Sequence, residues 1–66
     1  MLNYEWMELG LCADRIRELE QQVRMAEMAG RVMAAQEAAD EIARTEANRA
    51  RLVDRLFEQL TDQAAA

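Results

Sequence analysis

The feature that most limits what this chain can become is a change of phase in its apolar pattern. Leu2, Leu9, Ile16, Val23 and Gly30 recur every seven residues, and from Leu9 onward Cys12, Leu19, Ala26 and Met33 follow three places behind. Wound as an α-helix, these positions make one seam of about four heptads, broken at its start by Glu5. The second half carries its own stripe: Ala35, Ala39, Ile42, Ala43, Ala50, Val53, Leu56, Phe57 and Leu60. Its other face is polar, with Glu37, Asp40, Glu41, Arg44, Asn48, Arg51, Arg55, Glu58 and Asp62. That is the pattern of a helix with one buried side. The two stripes do not join. Continued forward, the first seam would bury Glu37 and Asp40, whereas the second buries Ala35 and Ala39. The skip is two residues, not the three or four that a coiled coil absorbs. A turn near residues 29–34 accounts for it, with Gly30 as the left-handed residue that ends helix one.

Little except helix is open to this composition. There is no proline, and Ala, Leu, Met, Glu, Gln and Arg dominate, all strong helix formers. The start of helix one is marked by Asn3 as a cap, Glu5 at the positive end of the dipole and Leu2 able to staple against Met7. The expected fold is all-α, a two-helix antiparallel hairpin. Helix one is placed at about 3–29, the turn near 30–33, helix two at about 34–61, and a frayed tail at 62–66. Halves of about 27 residues give helices roughly 40 Å long. The alternative is one continuous helix of roughly 90 Å in a long coiled coil.

A chain of 66 residues holds one domain, and a chain this short buries only about 60% of its unfolded surface. Small scaffolds need a staple. The lone Cys12 cannot form an internal disulfide, and without His there is no zinc site of the usual kind. Regular helix packing and self-association remain. Two helices share one interface and cannot enclose a core, so the hairpin is expected to dimerise into a four-helix bundle.

Helix one has surplus apolar surface beyond its seam. Tyr4, Met7 and Leu11 share one face, Trp6 lies near Leu2, Leu9 and Ala13, and Met25, Met28, Ala29 and Val32 cluster at the far end. These are either core residues of the bundle or a docking surface. Met adapts to varied partners, while Trp and Tyr are enriched at interface hot spots. The candidate partner-binding residues are therefore Tyr4, Trp6, Met7, Leu11, Met25 and Met28. On the outside, Glu20 with Arg24, Glu27 with Arg31, and Asp40 with Arg44 have the favourable acid-first spacing for helix ion pairs.

Glu46 and Arg49 are the one charged pair with character, because they fall on the apolar stripe of helix two. Either both side chains snorkel to water, or they meet a symmetry copy in a network that sets how two hairpins dock. Breaking a buried pair of this kind typically costs about 3–5 kcal/mol, and such pairs chiefly specify register and partner. Glu46 and Arg49 are therefore the candidate dimer-specificity residues.

Catalytic chemistry is not legible. Ser and His are absent, Cys12 has no His or Lys to activate it, and no glycine-rich phosphate loop exists. Cys12, on the seam, reads as a small apolar residue. The chain reads as a non-enzyme without cofactor, metal or small-molecule substrate. Acidic residues outnumber basic ones 13 to 8, for a net charge of −5, which disfavours nucleic acid as a partner. All eight basic residues are Arg. That reflects either genomic base composition or the suitability of the guanidinium fork for interfaces. No apolar run approaches the roughly 18 residues of a membrane span, and no signal peptide is evident at the start. A cytoplasmic setting is expected.

In size and layout the chain resembles two groups of small helical hairpins. One is the co-chaperones that hold needle subunits of type III secretion systems. The other is phage-encoded hairpins that bind and inhibit a host protein. The resemblance implies an adaptor or inhibitor that binds one protein partner, and it carries no functional residues over. A structural assembly unit and a small four-helix-bundle RNA regulator using Arg44, Arg51 and Arg55 are the rivals.

Overall fold

The helix-favouring composition and the single strong punctuation at Gly30 give two helices in the computed structural model, which describes residues 3–65. Helix α1 spans Asn3–Met28 and helix α2 spans Val32–Ala65. The two pack on each other as a hairpin, and no strand occurs among the described residues. Leu2 and the Asn3 side chain lie outside the described residues, and with them the expected staple and cap.

Gly30 closes α1 as the sequence predicts. Its φ is 72°, the left-handed region that glycine enters without steric cost. The Arg31 amide donates to the Ala26 carbonyl (2.8 Å) and the Gly30 amide to the Glu27 carbonyl (3.1 Å). These are the two bonds of a Schellman motif, which satisfies carbonyls that the helix end would otherwise leave open. The Arg31 carbonyl then accepts from the Ala35 amide (3.0 Å), so α2 begins at once. The connection is residues 29–31.

The helices are unequal. With 26 and 34 residues, they run about 39 Å and 51 Å. Helix α2 continues to Ala65, through most of the segment expected to fray, while Ala66 lies outside the described residues. The radius of gyration is 15.7 Å, against about 11 Å for a compact domain of this length. The hairpin is a rod, 55 Å by 15 Å by 11 Å.

The seam of α1 is as the heptad predicts. Cys12 and Leu19 are buried, and Leu9, Ile16, Val23 and Ala26 are half-buried. The inner face of α2 differs from the predicted stripe. It consists of Ala35, Ala38, Ile42, Thr45, Leu52, Leu56 and Gln59, all buried or half-buried. Of the predicted stripe only Ala35, Ile42 and Leu56 point inward. Ala39, Ala43, Ala50, Val53, Phe57 and Leu60 are exposed. The reason is geometric: the predicted stripe merges two neighbouring seams, and α1 covers only one of them. A polar residue, Thr45, is tolerated inside because its hydroxyl donates to the Glu41 carbonyl (2.8 Å), a local bond that needs no tertiary partner.

The ion pairs also differ from expectation. Arg17 pairs with Asp14, and Arg15 bridges to Glu18 (3.2 Å) on its own helix and to Glu41 (2.5 Å) on the other. None of the three expected i, i+4 pairs forms. Helix α1 ends between Glu27 and Arg31, and Asp40 accepts from Gln36 (2.9 Å) rather than from Arg44. Nothing in the structure explains the absence of the Glu20–Arg24 pair.

Candidate functional site: an uncovered apolar flank

The long sides of the hairpin have different chemistry. One is polar and tied across by Arg15, whose side chain donates two bonds to Glu41 Oε2, at 3.0 Å from Nε and 2.5 Å from Nη2. Its guanidinium pKa is raised, first by the hydrogen bond to Glu41 and then by that to Glu18. On the same side Asn48 Nδ2 lies 3.8 Å from Cys12 Sγ, which sets Cys12 level with Asn48.

The other side is apolar and open. Trp6 and Leu9 of α1 and Val53, Leu56, Phe57 and Leu60 of α2 line one shallow hollow there. Trp6 is 55% exposed and Phe57 71%, so the hollow presents two aromatic side chains to solvent. Further along α2, Glu46, Arg49, Ala50, Val53 and Asp54 line a second hollow. Near the turn, Val23, Glu27, Gly30, Val32, Ala35, Gln36 and Ala39 line a third. The exposed residues of the predicted stripe share one offset: Ala39, Ala43, Val53, Phe57 and Leu60 each come one residue after a buried or half-buried position of the inner face, and Ala50 comes one after Arg49, which continues the same spacing but is exposed. One residue is about 100° of helix. Helix α2 therefore carries a second apolar seam at about a right angle to the first.

The six candidate contact residues of α1 are all exposed, and the structure divides them among three places. Tyr4, Met7 and Leu11 stay together on the back of α1, away from its seam. Trp6 joins α2 in the aromatic hollow. Met25 and Met28 sit by the turn, about 30 Å along the helix from Trp6, near exposed Val32 and Met33. Glu46 and Arg49 are both exposed. They form no ion pair with each other and face the open second hollow.

Sequence reasoning missed Leu52 and Ala38, both buried at 7% exposure. Their signal was the alternation of three and four through 35, 38, 42, 45, 49, 52, 56 and 59. Thr45, Arg49 and Gln59 masked it by placing polar side chains on an otherwise apolar series. Arg44, Arg51 and Arg55 are exposed among exposed Asp40, Asp54 and Glu58, so they do not make a purely basic patch. Among the described residues no three Cys, Asp or Glu side chains cluster as a metal site would. Nor, among the described residues, is any helix long and apolar enough to cross a membrane.

No protein-family model matches the chain, and neither a curated protein nor a solved structure matches it.

Proposed function

We propose that this chain is a protein–protein interaction module: an acidic helical hairpin that works as a homodimeric four-helix bundle and binds one protein partner, which it blocks or holds. It acts by binding rather than by catalysis, in the cytoplasm, where Cys12 stays a buried thiol. Nucleic acid is not its target.

The observation that carries the reading is an imbalance. Five apolar residues are buried among the described residues, while eleven large ones are exposed. Scattered exposed apolar residues are ordinary, but contiguous ones mark interaction sites. Here they are contiguous in two places. The aromatic flank suits self-association. The Tyr4, Met7 and Leu11 face, on the far side of α1, suits an outside partner, with an aromatic anchor and an adaptable Met side by side.

The experiment is affinity capture with the tagged chain and with the triple variant Tyr4→Ala, Met7→Ala, Leu11→Ala, each checked for helicity and oligomeric mass. A specific protein retained by the native chain and lost by a still-folded triple variant supports the reading. Equal capture by both would move the site elsewhere. A dimer with no partner and no dye-accessible apolar surface would favour a purely structural assembly unit.

A further inference from the structure

The outer seam of α2 is an ordered apolar feature that the hairpin leaves uncovered. We propose that a second copy of this chain covers it, with the two α2 helices running antiparallel and crossing at Ala50. This rests on the homodimer proposed above and adds its orientation and contact.

The amount of surface fits such an occupant. The chain exposes 5257 Å², against about 4,300 Å² expected for a compact protein of its mass. The surplus is of the order that one partner gives up in a standard interface, about 800 Å². The angle fits as well. Each helix of a four-helix bundle meets two neighbours at about right angles, which is the angle between the inner and outer seams of α2.

The direction follows from side-chain size. The outer seam is small at its start, with Ala39 and Ala43, and large at its end, with Val53, Phe57 and Leu60. Antiparallel pairing about Ala50 sets Ala43 against Phe57 of the second copy and Ala39 against Leu60 of the second copy. Phe57 and Leu60 then each meet a small side chain, as close packing favours, and Val53 falls opposite Glu46 of the second copy. Parallel pairing would stack Phe57 on its copy and leave a gap between alanines.

Helix α1 is built to match at the level of the crossing. Cys12 is level with Asn48, so Gly10 is level with Ala50. A Cβ at Gly10 would meet nothing within 4 Å in the single hairpin, so the surface there is low and open. Gly10 and nearby Ala13 leave room for the second hairpin to approach.

The test is cysteine cross-linking of the full chain. Ala50→Cys and Ala43→Cys are compared with the native chain, whose one thiol is buried, under oxidised glutathione. Circular dichroism confirms helicity and sedimentation measures mass. The antiparallel crossing predicts covalent dimer as the main Ala50→Cys product, because a disulfide needs Cα atoms within about 7 Å. It predicts only background dimer for Ala43→Cys, whose two copies stand about 21 Å apart along the axis. Efficient cross-linking of both would establish a parallel dimer and overturn the orientation. A dimer by mass that cross-links at neither site would overturn the outer seam as the interface. A monomeric native chain would overturn the homodimer itself and leave the Tyr4, Met7 and Leu11 face to stand or fall by its own capture experiment.

Discussion

At the scale of single residues, the hairpin is held by few side chains. Leu19 is the most enclosed, at 1% exposure. Its truncation removes the transfer energy of the lost methyl groups and leaves a cavity. Leu19→Ala is expected to cost about 3 kcal/mol, a large part of the stability available to a domain of this size. Urea titration followed by circular dichroism should show a midpoint lowered sharply or an unfolded chain without denaturant. Glu46 and Arg49 belong to this scale too. They fall on the apolar stripe of the sequence, which allows either solvated side chains or a pairing with a symmetry copy. In the hairpin both are exposed, Glu46 at a position of the outer seam and Arg49 at a position of the inner series, and they do not pair with each other.

At the scale of elements, the turn is the part that the sequence foretold best. A phase skip, a lone glycine and helix formers on either side admit few other solutions, and the Schellman bonds at Gly30 realise that expectation. Because a Cβ at Gly30 would meet nothing within 4 Å, Gly30→Ala isolates the backbone term. The left-handed φ should cost about 1–2 kcal/mol for a non-glycine residue. Thermal unfolding should show that loss, and small-angle scattering should show longer particles as the substitution favours a continuous helix. An unchanged melting temperature would contradict the role given to Gly30. The face of α2 was less legible. Its inner seam includes Thr45 and Gln59, and its outer seam is nearly as apolar as its inner one. Periodicity shows that a helix has an apolar side; it does not show which of two seams 100° apart meets the partner helix. That depends on packing against α1, where Leu52 and Leu56 are buried and Leu56 lines one hollow with Trp6 and Leu9.

At the scale of the whole molecule, the hairpin has one mutual interface and two further apolar surfaces. The candidate contacts of α1 were readable as exposed, because they lie off a clear heptad. Their division among three places was not readable, since it depends on where α2 crosses. In the proposed dimer this chain is half of an assembly, completed by a second copy on the outer seam of α2. Sedimentation equilibrium of the native chain and of Phe57→Asp tests it directly. The proposed dimer predicts twice the 7.6 kDa chain mass for the native protein and a concentration-dependent fall to the single-chain mass for Phe57→Asp, with helicity retained in dilute solution. A native chain that stays at the single-chain mass across the accessible concentration range, folded and helical, would contradict it.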